Sequence, residues 1–230
     1  MRNTLILIKH EIINLLRNPA ILAVVLLPIF MSKIITATMK MADQEFLLLS
    51  IWILFAQVMV GIMLTGPNLI EEREAKTIDA LLCSPLNFGQ IIFAKGFAIL
   101  VLSMFSQIAV YLINEGFNSS VFSLLIPMLV GGIIFVQIGA IIGLKIESSQ
   151  SGSAISSIVM VSLFLIVSVY KLLPEWTHKL FVLIPSIGVT EVLNSLMTYN
   201  EFLIYQGSIV LVWVIIFFLW LTNIGRKWTH

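Results

Sequence analysis

Between Glu71 and Pro85 the chain reads EEREAKTIDALLCSP, a stretch with six charged residues at positions 71 to 79. An apolar run flanks it on each side, and each run is long enough to cross a bilayer, for which a helix needs about 20 residues. A short charged segment in this position is poorly suited to lipid contact and well suited to binding a soluble partner. The stretch therefore indicates a membrane protein with a docking segment between two of its spans.

The composition of the chain supports a membrane location. Of its 230 residues, 59% are hydrophobic and 11% are charged, whereas a soluble domain carries about 25% charged residues. The formal net charge of +1 excludes the strongly basic footprint of a nucleic-acid-binding protein. Cys83 is the only cysteine, so neither an internal disulfide nor a cysteine-based metal site can form. The lipid bilayer is therefore the expected surroundings of most of the chain.

Six apolar runs predict six transmembrane helices. Strands are not expected, because the runs are long and continuous and an open sheet cannot satisfy its edge groups in lipid. The sequence thus predicts an all-α polytopic membrane protein with a single transmembrane domain over residues 1–230. The predicted spans are 20–39, 46–70, 88–113, 120–144, 153–173 and 203–222.

Residues 1–18 have the pattern of an interfacial helix that lies on the membrane surface. Leu5, Ile8 and Ile12 recur at helical spacing, with charged and polar residues between them. Asn18-Pro19 then favours a turn into the first span. The alternative is that these residues extend the first span into the cytoplasm.

The placement of lysine and arginine predicts that both termini are cytoplasmic. With the N-terminus inside, nine basic residues fall on the cytoplasmic side and four on the other side, as the positive-inside rule requires. Residues 71–85 then lie in the cytoplasm. We expect a multi-pass protein of a cell membrane, the cytoplasmic membrane in a bacterium. The four outer basic residues are Lys33, Lys40, Lys171 and Lys179.

The segment 174–202 is too long for a tight loop and too apolar for a solvated one. Pro174 and Pro185 bracket a stretch that is too short to span the membrane. Two short helices that enter the outer leaflet and return would fit, and such a re-entrant hairpin is tolerated where protein or a water-filled cavity covers its backbone. The alternative is a helix that lies on the surface.

No residue pattern in the chain indicates catalysis or a bound cofactor. The phosphate-binding pattern G-x-x-x-x-G-K-[ST] is absent from the sequence. His10-Glu11 begins like the zinc-binding motif H-E-x-x-H, but Asn14 replaces the second histidine. We therefore expect no enzyme, no metal site and no cofactor bound by this chain.

Polar residues within the predicted spans permit two interpretations. Ser50 and Gln57 fall on one face of the second span, and Ser103 and Gln107 on one face of the third. They either hydrogen-bond between helices or line a transport path. Lys33 in the first span either reaches the outer interface with its long side chain or marks the path, and Asp43 or Glu45 could pair with it.

Small residues in the fourth span predict close helix packing. Gly132, Gly139 and Gly143 share one helical face, and the last two form a small-xxx-small pair. Such residues let two membrane helices approach each other closely.

The stretch 71–85 also has an amphipathic pattern. Glu72 and Lys76 form an i, i+4 pair in the favoured order, and Ile78, Leu81 and Leu82 are expected on the other side. Pro85 is expected to end the helix. The alternative is a charged cytoplasmic loop without a partner.

The residues of this stretch resemble the signature of ABC-2-type transporter permeases. That family has an acidic pair, then Gly-Thr, a Leu-Leu doublet, a proline and a lysine that opens the third span. Lys76 departs from the family, which usually has glycine there. The six-span plan, the surface helix and the apolar hairpin are similar too, and haem-exporter permeases share this plan. The matching residues here are Glu72, Glu74, Thr77, Leu81-Leu82, Pro85 and Lys95-Gly96.

The resemblance implies a permease subunit of an ATP-driven exporter. Two such permeases, identical or paralogous, would associate with two ABC ATPase subunits, and ATP and magnesium would bind to the ATPase. A haem-exporter-type permease is one alternative, and an ATP-independent channel or secondary transporter is an alternative of another class. The implied substrate is amphipathic or hydrophobic, such as a drug, an antimicrobial peptide or a lipid-linked molecule.

The resemblance also implies which residues contact the ATPase. Residues 71–85 would be the coupling helix, and Glu147 to Gln150 would be a secondary contact. The surfaces of the first and fifth spans would form the permease dimer. The implied ATPase-coupling residues are Glu71, Glu72, Glu74, Lys76, Thr77, Asp79, Leu81, Leu82 and Pro85.

Overall fold

The computed structural model describes residues 2–38 and 45–226, which form α-helices joined by short connections. A 3₁₀ turn, Tyr170–Leu172, follows the seventh helix, and the described residues contain no strand. The helices are α1 (Arg2–Arg17), α2 (Pro19–Thr38), α3 (Glu45–Glu74), α4 (Thr77–Leu82), α5 (Phe88–Glu115), α6 (Ser120–Lys145), α7 (Ser149–Val169), α8 (Glu175–Phe181), α9 (Pro185–Tyr199) and α10 (Ile204–Arg226).

Six of these helices, namely α2, α3, α5, α6, α7 and α10, are long and apolar enough to cross a membrane. The predicted class, an all-α polytopic membrane protein, is therefore confirmed. Helix α3 is central, with 72% of its most apolar window buried, and it packs against α2, α5, α6, α7 and α9. The corresponding buried share is only 22% for α2, 17% for α7 and 11% for α10. These three helices are at the periphery of the bundle.

Glycines on α6 permit its close approach to α3. A Cβ at Gly139 would lie 2.8 Å from the carbonyl oxygen of Gly61, and one at Gly143 would lie 2.9 Å from that of Gly66. Gly132 faces α5 instead, where a Cβ would lie 2.8 Å from the end of the Leu100 side chain. Two of the three glycines of the predicted stripe thus lie at a backbone-to-backbone contact.

Helix α1 is a separate helix rather than an extension of the first span. It ends at Arg17, and the Asn18 side chain then accepts a hydrogen bond from the N–H of Ala20 over 3.0 Å. Leu7, Ile8 and Leu15 are buried where α1 packs along α5. Its location at the membrane surface stays a prediction.

The segment before the last span contains two short helices, α8 and α9. Helix α9 packs among α3, α6, α7 and α10, and most of its side chains from Pro185 to Leu196 are buried. Glu191 on α9 accepts hydrogen bonds from Tyr170 and Gln206, each over 3.2 Å. Helix α9 is therefore anchored to the 3₁₀ turn before the segment and to α10 after it, and the re-entrant hairpin stays a prediction.

Candidate functional site

The candidate docking segment, residues 71–85, has a break that the sequence did not predict. Helix α3 continues through Glu74, the backbone turns at Lys76, and the short helix α4 begins at Thr77. Lys76 has φ 55°, in the left-handed region that glycine occupies most readily. The Thr77 hydroxyl donates to the carbonyl oxygen of Glu72 over 2.8 Å and so satisfies one of the last carbonyls of α3. Glu71, Glu72 and Glu74 thus belong to α3 and Asp79 to α4, not to one continuous coupling helix.

The expected ion pair between Glu72 and Lys76 does not form. Because the helix breaks at Lys76, the two residues are no longer on one helical face. Glu72 Oε2 instead lies 2.5 Å from the Lys95 ammonium on α5. The other carboxylate oxygen, Oε1, accepts a hydrogen bond from Asn68 over 3.4 Å. Glu72 therefore connects α3 to the start of the third span rather than facing solvent.

Lys95 is shared between two carboxylates. Its Nζ donates to Glu11 Oε1 on α1 over 2.6 Å, and its side chain is only 3% exposed. A buried ammonium needs such partners, because desolvation of an unpaired charge is costly. Glu11, Lys95 and Glu72, here called the charged triad, thus connect α1, α5 and the end of α3.

Sequence reasoning missed Glu11, although a signal for it existed. Leu7, Glu11 and Leu15 follow each other at steps of four residues, which places a carboxylate on the buried stripe of α1. A carboxylate on an apolar stripe requires a cation or hydrogen-bond donors from another element. The sequence alone could not identify Lys95 as that cation, because Lys95 is 84 positions away from Glu11 in the chain.

The two residues after Glu72 connect α3 to two further helices. Arg73 Nη1 donates to the carbonyl oxygens of Gly143 and Ile146 over 2.8 and 2.9 Å, at the end of α6. Glu74 accepts from the N–H of Ser149 over 2.9 Å and from the Ser149 hydroxyl, at the start of α7. A cation at a helix C-terminus and an anion at a helix N-terminus are both favoured by the helix dipole. Three consecutive residues therefore contact three different parts of the bundle.

The outer surface of the segment is charged and accessible. Ile78 is buried against Leu69 and Phe88, and the half-buried Leu81 packs toward Leu7. Leu82 was expected on this inner side but is exposed, because the short α4 ends there. The other exposed residues of the segment include Glu71, Glu74, Lys76, Thr77, Asp79, Cys83 and Pro85.

The transport-path candidates lie away from this segment. Gln57, Ser103 and Gln107 are fully buried inside the chain and bond to one another: Gln57 donates to Gln107 over 2.8 Å, and Gln107 donates to Ser103 over 3.0 Å. Ser50 is also buried and donates to a carbonyl of its own helix, that of Leu47. Their role in a transport path stays a prediction.

Lys33 is exposed near the C-terminal end of α2, which is the end farther from α1. Its ammonium donates to the carbonyl oxygen of Ile113 over 3.0 Å, beside a cavity of about 170 Å³. Asp43 and the side chain of Glu45, its suggested partners, lie outside the described part of the structure. The long stem of the lysine lets its ammonium reach this polar group, and both interpretations of Lys33 stay predictions.

Comparison with known proteins adds one finding. A family model described as ABC-2 family transporter protein matches residues 13–224. The match includes the docking segment, the charged triad residues Glu72 and Lys95, five complete candidate spans and the sixth up to residue 224. No curated protein matches the chain.

Proposed function

The chain belongs to the ABC-2 family of transporter proteins, as a membrane-spanning permease subunit, and we propose that an ATPase drives it through residues 71–85. This proposal rests on the different partners of three consecutive residues. Glu72 contacts α5, Arg73 contacts α6 and Glu74 contacts α7. A displacement of the segment would reach three spans through side chains that are already bonded to them. Exposed charges and Leu82 remain on the outer surface for the partner.

The partner must supply the energy, because the chain has no phosphate-binding loop. We propose two copies of an ABC ATPase, which bind ATP and magnesium and press on α4 as they close. The face that carries α1 and α4 is then cytoplasmic, where ATP is available. The count of basic residues supports the same orientation, with both termini inside.

A second permease copy or a paralogue would complete the transporter. Helices α2 and α7 are the proposed contact surfaces, and much of each is exposed in the single chain. On α7, Ile158, Val161, Leu165 and Val169 form one exposed apolar stripe. Gln57 and Gln107 are enclosed within one chain, so a transport path between two permeases would be lined by other residues.

The proposed activity is export of an amphipathic or hydrophobic substrate across a bacterial cytoplasmic membrane. The surfaces of α2 and α7 that would face the second permease expose large apolar side chains, such as Phe30, Ile34 and Leu165. Apolar surfaces of this kind suit a substrate with a large apolar part. The same chemistry would suit haem as cargo only with additional ligands for its charged groups.

Purification of the intact complex from native membranes tests the proposal. A protein with a phosphate-binding loop should accompany the chain, and replacement of the exposed Glu71 and Asp79 by lysine should release it. These positions are better probes than Glu72 and Glu74, because the latter hold the bundle together. Glu201→Lys, an exposed charge reversal at the end of the hairpin, is the matched control. Transport by the chain alone, without ATP, would contradict the proposal and favour a channel or secondary transporter.

A further inference from the structure

The charged triad is the principal polar connection between α1 and the docking segment. A groove of about 470 Å³ separates α1 from the end of α3 and from α4, and Glu11, Glu72 and Lys95 all line it. Leu81 also packs against the apolar cluster of Leu7, Ile8, Ile91 and Ala94. Lys95 therefore provides a polar link between the segment and α1, beside this apolar packing.

Further hydrogen bonds connect α5 to α2 toward the other side of the membrane. The Ser106 hydroxyl donates to the carbonyl oxygen of Val25 over 2.8 Å. Asn114 donates to the Ser32 hydroxyl over 3.2 Å and accepts from the Thr36 hydroxyl over 2.6 Å. Helix α5 thus has polar contacts with α1 and the segment at one end and with α2 along its remaining length.

We infer that Lys95 is a positioning residue that makes α1, α2 and α5 move as one unit with the docking segment. This inference rests on the proposed function, because it concerns how displacement by an ATPase would reach the first span. Helix α1 is then part of the coupling apparatus and not only a membrane anchor. Glu11 has a specific role in this unit, since it is the residue through which α1 binds Lys95.

The triad explains why a lysine is needed at position 95. Loss of its charge would leave two carboxylates facing each other in a partly buried site, where the penalty for unpaired charge is large. Loss of Glu11 alone would leave the Lys95–Glu72 pair intact and remove only the polar link to α1. The two kinds of substitution therefore separate damage to the fold from loss of the connection to α1.

Distance measurements between spin labels test the inference on the full chain in lipid vesicles. Cys83, the only cysteine, is exposed after α4 and takes one label, and Lys9→Cys on the exposed side of α1 takes the other. The parent protein should show one narrow distance distribution. Glu11→Gln and Lys95→Met should broaden it, whereas Lys95→Arg should keep it narrow. Lys145→Met, which removes a cation that lies over Trp220, is the matched control.

A second readout uses the intact complex with its ATPase. Glu11→Gln should lower transport per ATP hydrolysed by about tenfold, within the usual range of coupling between sites, while the ATPase still co-purifies. If Lys95→Met does not fold, the result for Glu11→Gln alone tests the inference. An unchanged distance distribution in Glu11→Gln would overturn the inference. If no ATPase binds to the chain, the proposed function is refuted. The distance measurement still tests whether the triad connects α1 to the segment, because it uses the chain alone.

Discussion

Gln57 on α3 donates a hydrogen bond to Oε1 of Gln107 on α5 over 2.8 Å, and both side chains are fully buried. Gln57→Leu should therefore destabilise the protein by about 1–2 kcal/mol, because it leaves the Gln107 oxygen without its donor. The double variant Gln57→Leu, Gln107→Leu should lose less than the sum of the two single variants. Thermal unfolding of the purified chain in detergent measures these differences, with the exposed Gln150→Leu as control.

Thermal unfolding of these variants, combined with a transport assay, distinguishes the packing interpretation from the transport-path interpretation. Additive losses would argue against a specific bond between the two glutamines. If the single variants unfolded like the parent protein but transported a different range of substrates, the packing interpretation would be wrong.

The close approach of α3 and α6 predicts a graded series of glycine variants. Gly139→Ala should cost about 1–3 kcal/mol, because its Cβ would lie 2.8 Å from a backbone oxygen that cannot move freely. Gly132→Ala should cost less, since the one close neighbour of its Cβ would be the movable end of the Leu100 side chain. Gly225→Ala, where the nearest atom is 3.6 Å away, should be neutral or stabilising. Equal unfolding midpoints for Gly139→Ala and Gly225→Ala would contradict the helix packing described above.

The positive φ of Lys76 predicts the effect of substitutions at the break between α3 and α4. Lys76→Gly should be neutral or stabilising, because glycine adopts the left-handed conformation without strain. Lys76→Val should destabilise by about 1 kcal/mol or more, since a branched side chain is strained there. Co-purification of the ATPase should follow the same order. A Lys76→Val variant as stable as Lys76→Gly would show that the break does not have this geometry.

The general plan of the fold could be predicted from the sequence, for a physical reason. In lipid, backbone groups must bond within the chain, so apolar runs of sufficient length become helices. The break at Lys76 could not be predicted, because hydrophobic periodicity does not report a single left-handed residue. The similarity to a family with glycine at this position was the one available signal, and the structure gives the reason for that glycine.

The candidate site was only partly predictable. The charged stretch identified the segment, but it did not show that Glu72 and Glu74 bond to other helices of the bundle while Glu71 and Asp79 are exposed. That difference comes from helix α3, which continues four residues beyond its predicted end at position 70. The partners of Glu72 and Arg73 are distant in the chain, so no local pattern could indicate them.

Cysteine crosslinking tests the proposed contact between two permeases. In a Cys83→Ser background, Leu165→Cys on α7 should crosslink to a second copy in membranes, if the complex contains two identical permeases. Ile215→Cys on α10 is a matched control, because the two native side chains are 52% and 58% exposed. Equal crosslinking at both positions would indicate random collision, and crosslinking at Ile215→Cys alone would place the interface on α10.

The central claim, that a separate ATPase drives this permease through residues 71–85, can be tested most directly at Cys83. This residue is exposed immediately after α4 and is the only cysteine of the chain, so a cysteine-directed photo-crosslinker attaches there without any substitution. Illumination of the active complex should join the chain to a protein with a phosphate-binding loop, and the Glu71→Lys, Asp79→Lys variant should lose that product. Crosslinks only to lipid or to a protein without such a loop, in membranes that still transport, would contradict the account.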